Sequence, residues 1–223
     1  MCGIFGITIQ KDSDLKKSLI QKKINDLFKL SKSRGKEAGG IAIHSKKTIH
    51  VYKEPISPSK IIKQKEYKKL IKKALSDPPI AIIGHSRLVT DGIESSNENN
   101  QPVIKSGIVG AHNGIITNTK DLFKKFSIKR EYDVDTEIIL GLIKKFSEKE
   151  NSLVRAIQKT FYNIKGSASL ALLFKDSPYL ILATNTGSLY VSINKRECFF
   201  IFASEKNILK KLGCNIKDIS QVK

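Results

Sequence analysis

A cysteine directly follows the initiator methionine, in the opening sequence MCGIFGI. Removal of Met1 would make Cys2 the N-terminus, so that one residue would carry both a thiol and a free α-amine. A thiolate is the nucleophile of cysteine chemistry, and an α-amine titrates at about 7.7–8.0, where it can act as a base. Cys2 is therefore a candidate nucleophile with its own base. The alternative is a small buried side chain at the start of a strand, which is common for a free cysteine.

Polar side chains are concentrated in three other segments, each of which adjoins an apolar run: residues 84–92, 112–118 and 133–137. In the first segment, Arg87 could bind a carboxylate through its guanidinium fork. In the third segment, an aspartate could bind an ammonium group. Together these two segments could hold the α-carboxylate and the α-amine of an amino acid.

The second of these segments contains Asn113 and Gly114. The Asn113 side chain and the N–H of Gly114 could both donate to a developing oxyanion, since glycine permits close approach. Structural interpretations stay open for each segment. Arg87 could form an ion pair, and Asn113-Gly114 could be a turn. Asp133 or Asp135 could be only a helix cap.

Hydrophobic periodicity predicts an α+β protein of antiparallel sheets with covering helices. Strands are predicted at residues 3–9, 41–44, 48–52, 80–85, 108–111, 168–174, 179–184, 188–193 and 199–203. Helices are predicted at residues 14–32, 58–75, 119–126, 134–148, 152–164 and 206–212. Strands that are joined by tight turns pair antiparallel, and the long helices must cover sheet faces. We expect one domain over residues 2–223, because no long linker interrupts the pattern.

The chain has 223 residues and a net charge of +19, from 40 lysines and arginines against 21 aspartates and glutamates. Only five of the basic residues are arginines, and the lysines are spread along helical segments. This distribution favours a solvated lysine-rich surface over a nucleic-acid interface, although a basic nucleic-acid-binding module stays open as an alternative. No apolar run reaches the roughly 20 residues of a membrane helix, and no signal peptide is recognisable.

The three cysteines are Cys2, Cys198 and Cys214. Their odd number and spacing predict a reducing compartment, so we expect a cytoplasmic protein. The cysteines and histidines lack zinc-ligand spacing, and no metal site is expected. His44 and His50 flank a lysine-rich turn and are expected at the surface.

Six short blocks carry a resemblance to the class II glutamine amidotransferase domain, which is an N-terminal-nucleophile hydrolase. In chain order they are Cys2-Gly3-Ile4-Phe5-Gly6, Arg34-Gly35-Lys36-Glu37-Ala38-Gly39-Gly40-Ile41, Gly84-His85-Ser86-Arg87 with Thr90, Asn100-Gln101-Pro102, His112-Asn113-Gly114 and Asp135-Thr136-Glu137. The blocks resemble the glucosamine-6-phosphate synthase and phosphoribosyl-pyrophosphate amidotransferase branches of that family.

The resemblance implies a four-layer αββα sandwich, L-glutamine as substrate, and chemistry that needs neither a metal nor an organic cofactor. Cys2 would be the nucleophile and its own α-amine the base. Asn113 and Gly114 would form the oxyanion hole, and Arg34 would organise the nucleophile end. Glutamine would be hydrolysed to glutamate and ammonia through a thioester.

The resemblance also implies that Arg87, Thr90 and Asp135 hold the backbone groups of glutamine. His85 and His112, at strand ends, are expected to shape the site rather than to transfer protons. Ammonia would pass to an acceptor such as a sugar phosphate, on a synthase domain or subunit outside this chain. A catalytically silent regulatory subunit of the same fold is the alternative. No nucleic-acid or membrane partner is expected, and oligomer formation is left open.

Overall fold

The computed structural model describes residues 2–88 and 97–222, which form eleven strands and seven α-helices. The strands are β1 (Gly3–Ile9), β2 (Ala38–Ser45), β3 (Thr48–Glu54), β4 (Ile80–Arg87), β5 (Val103–Lys105), β6 (Ile108–Ile116), β7 (Gly166–Phe174), β8 (Ser177–Thr184), β9 (Tyr190–Asn194), β10 (Phe199–Ala203) and β11 (Ile219–Gln221). The helices are α1 (Lys17–Ser31), α2 (Pro58–Ile61), α3 (Lys65–Ala74), α4 (Thr119–Lys125), α5 (Thr136–Ser147), α6 (Leu153–Asn163) and α7 (Lys206–Lys211).

The strands form two antiparallel sheets. The larger sheet has seven strands in the order β11-β9-β10-β1-β4-β2-β3, and the smaller has four in the order β5-β6-β7-β8. In the larger sheet β1 lies between β10 and β4, and Gly3 pairs with Ser86. The start of β1 therefore lies beside the end of β4, which brings residue 2 close to residue 87.

Three hydrophobic cores separate four layers of secondary structure. One outer core packs α1, α3 and α7 on the seven-stranded sheet, and within it the Phe28 ring meets Phe5 edge to face at 4.8 Å and Tyr67 at 5.7 Å. The other outer core packs α5 and α6 on the four-stranded sheet. The inner core joins the two sheets and includes four alanines: Ala42, Ala81, Ala111 and Ala171. The predicted αββα sandwich of antiparallel sheets is confirmed.

The helices are amphipathic, with their apolar faces on the outer cores. Helix α3 buries Tyr67, Ile71 and Ala74 and exposes five lysines: Lys65, Lys68, Lys69, Lys72 and Lys73. The positive charge of this segment is therefore a solvated face, as the spread of lysines predicted. Within residues 2–88 and 97–222, no helix combines the length and the apolar character that crossing a membrane requires.

The single helix predicted over residues 58–75 is wrong. The chain forms α2 and α3 instead, and Gln64 between them has an extended backbone. Ile61 and Tyr67 are both fully buried. Six residues at about 100° each would place these two side chains roughly 240° apart on one straight helix, so only a break lets both reach the same core.

The short strand predicted over residues 108–111 is also too short. Strand β6 continues to Ile116 because β7 pairs with it in unbroken register, from Ile108 opposite Phe174 to Ile116 opposite Gly166. The interpretation of Asn113-Gly114 as a turn is therefore excluded, since both residues lie inside a paired strand. The short strands β5 and β11 were not predicted.

Candidate active site

Cys2 directly precedes β1, the strand that occupies the middle of the larger sheet. Burial raises the pKa of its thiol above the ordinary value, the Leu88 backbone and the Arg87 charge lower it, and the Asp135 charge raises it. Arg87 and Asp135 are thus close enough to the sulfur to act on its charge. The net upward shift keeps the thiol protonated at neutral pH, so nucleophilic attack needs a base.

Arg34 connects the backbone of Cys2 to a distant helix. Its Nε donates to the backbone oxygen of Cys2 at 3.4 Å, and its Nη1 donates to Oε1 of Glu205 at 2.8 Å. Glu205 is the N-cap residue of α7, and both charged side chains are largely shielded from water. These bonds hold the backbone from which the thiol of Cys2 extends, and the organising role of Arg34 stays a prediction from the sequence.

Arg87, at the end of β4, is oriented by the segment 97–100. Its Nη1 donates to Oδ1 of Asn100 at 2.9 Å and to the backbone oxygen of Asn99 at 3.4 Å. Lys53 holds the same segment, because its Nζ donates to the backbone oxygens of Asn100 at 2.7 Å and of Glu98 at 3.0 Å. Burial lowers the pKa of Lys53 to about 8. The guanidinium of Arg87 is therefore held in place by contacts within the protein.

Thr90 belongs to residues 89–96, which lie outside the described residues. Its contact with substrate stays a prediction from the sequence. The segment that follows is tied to the Asp135 loop, because Oδ1 of Asn99 accepts the backbone N–H of Asp133 at 2.8 Å. The segment 97–100 therefore links Arg87 with the loop that precedes Asp135.

Asn113 and Gly114 lie on β6 of the smaller sheet. Val109 and Ala111 of this strand belong to the inner core, so strand alternation turns the Asn113 side chain toward the same layer. Gly114 has φ +151°, and a Cβ at this position would lie 1.9 Å from the backbone oxygen of Ser167. Both the backbone conformation and the lack of space therefore require glycine here.

Asp135 precedes α5 and faces the end of β6. Its Oδ2 accepts the N–H of Ile116 at 3.0 Å, and its Oδ1 lies 3.4 Å from Nδ1 of His112. Burial tends to raise the pKa of Asp135, but the contacts with His112 and Ile116 outweigh burial, and the net shift is downward. Asp135 is therefore a carboxylate at neutral pH. Its side chain makes no helix-capping hydrogen bond, so capping alone does not explain its position.

A buried ion pair supports the loop that leads to Asp135. Nζ of Lys105 lies 2.5 Å from Oε1 of Glu137 and donates to the backbone oxygen of Lys129 at 2.9 Å. The Glu137 carboxylate, which is fully buried, also accepts the backbone N–H groups of Glu131 and Tyr132, each at 2.8 Å. Glu137 was part of a sequence block without an assigned role, and Lys105 was not singled out at all.

Two further supporting residues were missed in the sequence. Glu205 is separated from Arg34 by 171 positions, and nothing local to either residue indicates the contact. Gln101 accepts the backbone N–H of His112 through its Oε1 at 2.5 Å. The block Asn100-Gln101-Pro102 contained a signal for Gln101, but the block did not indicate which atom it would bind.

The groups around Cys2 have complementary chemistry. Arg87 offers a cation for a carboxylate, and Asp135 offers an anion for an ammonium group. Strand β1 also contacts β6, the strand that carries Asn113 and Gly114. Such an arrangement suits a zwitterionic amino acid whose side chain reaches the thiol. Across the two described ranges, no three histidine, cysteine, aspartate or glutamate side chains are grouped so that they could hold a metal ion.

Residues 85–211, more than half of the chain, match the glutamine amidotransferase domain family. The chain belongs to this family. The match begins at His85 and therefore includes the segments of Arg87, Asn113 and Asp135. Membership favours the amidotransferase interpretation of the site over a basic nucleic-acid-binding module.

Curated relatives of this amidotransferase domain include two kinds of larger enzyme. The glutamine--fructose-6-phosphate aminotransferase (isomerizing) of Buchnera aphidicola is 29% identical over 205 residues, which are 89% of this chain and 31% of that protein. The amidophosphoribosyltransferase of Methanocaldococcus jannaschii is 30% identical over 227 residues, which are 98% of this chain and 45% of that protein. The chain thus spans less than half of the length of either relative.

Solved structures agree with the fold. The glutamine phosphoribosylpyrophosphate amidotransferase from B. subtilis, complexed with ADP and GMP, has a TM-score of 0.69 at 19% identity, covering 100% of this chain and 49% of that one. A structure described as the allosteric regulatory enzyme of purine biosynthesis has a TM-score of 0.72 at 21% identity, with the same coverage. At these identities the likeness concerns the fold alone.

Proposed function

We propose that this amidotransferase domain hydrolyses L-glutamine to glutamate and ammonia through a thioester on Cys2. The observation that carries the proposal is the placement of Arg87 and Asp135 close enough to Cys2 to shift the pKa of its thiol. A cation and an anion beside one nucleophile suit the two charged backbone groups of an amino acid. Family membership points to glutamine as that amino acid.

In this proposal the guanidinium of Arg87 binds the α-carboxylate of glutamine, and Asp135 binds its α-ammonium group. The downward shift of the Asp135 pKa supports the second contact, because the carboxylate stays ionised at neutral pH. Thr90 is proposed to assist in holding these groups. With both ends of the backbone fixed, the side-chain amide can extend toward the thiol.

The reaction begins when Cys2, freed of Met1, attacks the amide carbon of glutamine. The α-amine of Cys2 accepts the thiol proton, which the buried sulfur does not release by itself at neutral pH. The Asn113 side chain and the Gly114 N–H donate to the oxyanion of the tetrahedral intermediate. The α-ammonium then returns the proton to the leaving nitrogen, ammonia departs, and water hydrolyses the thioester to glutamate.

We further propose that residues 2–223 act as one glutaminase domain whose ammonia is consumed by an acceptor domain or subunit. The acceptor would be a sugar phosphate or a related compound, as the name of the Buchnera aphidicola relative suggests. A cytoplasmic location is proposed because all three cysteines are unpaired: Cys2, Cys198 and Cys214. A reducing compartment keeps such a nucleophile active.

A glutamine-analogue chloroketone should label the purified protein once, on Cys2. Intact mass after labelling is expected to show loss of Met1 and one adduct, and peptide mapping should place the adduct on the first residue. L-glutamine should slow labelling, because the analogue uses the same site. The Cys198→Ala and Cys214→Ala variants are matched controls and should label as the parent does. An adduct on Cys198 or Cys214, or no protection by glutamine, would contradict the proposal.

Replacing Asn113 with alanine should lower kcat for glutamine hydrolysis by about 10²–10³-fold, which is the usual cost of one oxyanion donor. The KM for glutamine should change little, since Arg87 and Asp135 still bind its backbone groups. Steady-state measurement of glutamate release tests this. Asn118→Ala is the control, because Asn118 binds the backbone at Asn163 and Lys165 instead. A parent-like kcat in Asn113→Ala would remove Asn113 from the oxyanion hole.

A further inference from the structure

His85 is a fully buried side chain between the two sheets. It lies on β4, where its backbone pairs with Ile4 of β1 and Gly40 of β2. Ala81 and Ile83 of the same strand belong to the inner core, so strand alternation turns His85 toward the four-stranded sheet. Its exposed fraction is 0%. The strand that follows Cys2 and the strand that carries His85 are thus direct neighbours.

Neither ring nitrogen of His85 has a hydrogen-bond partner among residues 2–88 and 97–222. A buried polar group without a partner costs free energy that a leucine of similar size would not cost. Such a group in a folded protein therefore calls for an explanation, which is often function. Burial, followed by the charges of His112 and Arg87, lowers the pKa of His85 to about 3. The ring is therefore neutral at physiological pH, with one donor and one acceptor nitrogen.

On the opposite sheet, the backbone of His112 lies close to the His85 ring. It lies close enough to raise the pKa of His85 slightly, although no hydrogen bond of ordinary geometry joins the two. The N–H of His112 points to Gln101 and away from β7. In an antiparallel strand the N–H and C=O of one residue point to the same side, so the His112 carbonyl also points away from β7.

The sheets approach each other closely at this point. Gly40 pairs with His85, and a Cβ on Gly40 would lie 2.2 Å from the backbone oxygen of Gln101. The Gln101 side chain in turn binds His112, the residue before Asn113. A short connection therefore runs from the sheet of Cys2 to the proposed oxyanion donors, and His85 lies beside it.

We propose that His85 is a positioning residue for the glutamine chemistry proposed above: its imidazole N–H donates to the His112 carbonyl when the substrate is bound. This bond joins the two sheets and fixes Asn113 and Gly114 relative to Cys2. The inference rests on the proposed function for its effect on turnover, whereas the bond itself requires only that glutamine binds. Hydrogen bonds of this kind are often long before substrate binds and shorten in the reacting complex.

His85→Leu tests the proposal, because it keeps the volume and removes the donor. We expect kcat for glutamine to fall about 10–100-fold, since small misplacements of reacting groups are costly, while KM changes less than about threefold. His85→Asn and His85→Gln place an amide N–H at the position of one ring nitrogen or the other. At least one of these two variants should recover most of the parent kcat.

His44→Leu is the matched control. His44 was expected at the surface, but it is only 7% exposed, and its Nε2 also lacks a partner among the described residues. It lies on β2 opposite Ala81, at the end of the sheet remote from Cys2. If an unpartnered buried histidine had no role in the site, replacing it with leucine would have the same effect on kcat at position 44 as at position 85. His44→Leu should keep the parent kcat.

Hydrogen exchange of the amides at residues 112–114, followed by mass spectrometry with glutamine present, separates this inference from the proposed function. His85→Leu should speed that exchange and His44→Leu should not, whether or not the parent releases glutamate. Parent-like kcat and exchange in His85→Leu would overturn the inference, as would equal changes in both leucine variants. If His85→Leu does not fold, the test depends on His85→Asn and His85→Gln. The inference is then overturned if neither variant keeps the parent kcat and the parent rate of hydrogen exchange. A parent that releases no glutamate would overturn the proposed function alone.

Discussion

Replacing Cys2 with alanine is expected to abolish glutamate production, with a loss of about 10⁴-fold or more in kcat. The variant removes the sulfur atom that forms the proposed thioester, and alanine offers no atom that can take its place in that bond. Binding of glutamine should survive, because Arg87 and Asp135 are untouched and the thiol contributes little to ground-state affinity. A coupled assay for glutamate, together with the glutamine-induced rise in Tm, measures both expectations.

The matched controls for this experiment are again Cys198→Ala and Cys214→Ala. Both thiols are free. The backbone of Cys198 accepts the N–H of Gln10, just past the other end of β1, and Cys214 packs against the outer core of α1, α3 and α7. Their glutamate production should equal that of the parent. Equal turnover by Cys2→Ala and the parent would remove Cys2 from the mechanism. A Cys2→Ala variant that folds but shows no response to glutamine would instead show that substrate binding had been assigned wrongly.

Replacing Lys105 with methionine should destabilise the protein by about 3–5 kcal/mol, because it leaves the carboxylate of Glu137 buried without its cation. That cost is a large share of the 5–15 kcal/mol typical of a folded domain. The effect should reach the site as well, since the Glu137 carboxylate also holds the backbone of Glu131 and Tyr132, just before Asp135. Urea unfolding measures the first effect, and the KM for glutamine measures the second.

The double variant Lys105→Met with Glu137→Gln is the control for charge. It removes the unpaired anion, which is the larger penalty, although the single amide oxygen of glutamine can accept only one of the two backbone N–H groups that now bind separate oxygens of Glu137. The double variant should therefore be more stable than Lys105→Met alone. If the single variant loses less than about 1 kcal/mol, the pair is not an important support of this loop.

Much of the fold follows from local patterns. The apolar runs that predicted strands at residues 3–9 and 80–85 are confirmed in β1 and β4, because nearly all residues on both faces of each strand are buried. The predicted αββα arrangement came from the family resemblance rather than from periodicity. Periodicity misjudged β6, whose polar end is held by pairing with β7, a strand more than 50 residues later.

Residues of the candidate site could be predicted from the sequence where they lie within the short blocks that carry the family resemblance. Cys2, Arg87 and Asp135 lie close together, and Asn113 lies on β6, a strand of the other sheet that contacts β1, while the roles of these residues stay predictions. Their supporting contacts were not predictable, because each joins positions far apart: Glu205 reaches Arg34, and Lys105 reaches Glu137. Long-range pairs of charges leave no periodic trace in a sequence. Their partners are selected by the fold and not by neighbours along the chain.

The thin inner core has a consequence for how such a site could change over time. The proposed nucleophile and the proposed oxyanion donors belong to different sheets, and four alanines contribute to the packing between them: Ala42, Ala81, Ala111 and Ala171. The small methyl side chains of these alanines let the two sheets approach closely. The distance between the two halves of the site is therefore set partly by residues that have no polar side-chain atoms. A larger side chain at any of those alanines would push the two sheets apart. The rate of turnover would then change, although every polar group of the proposed site stayed the same.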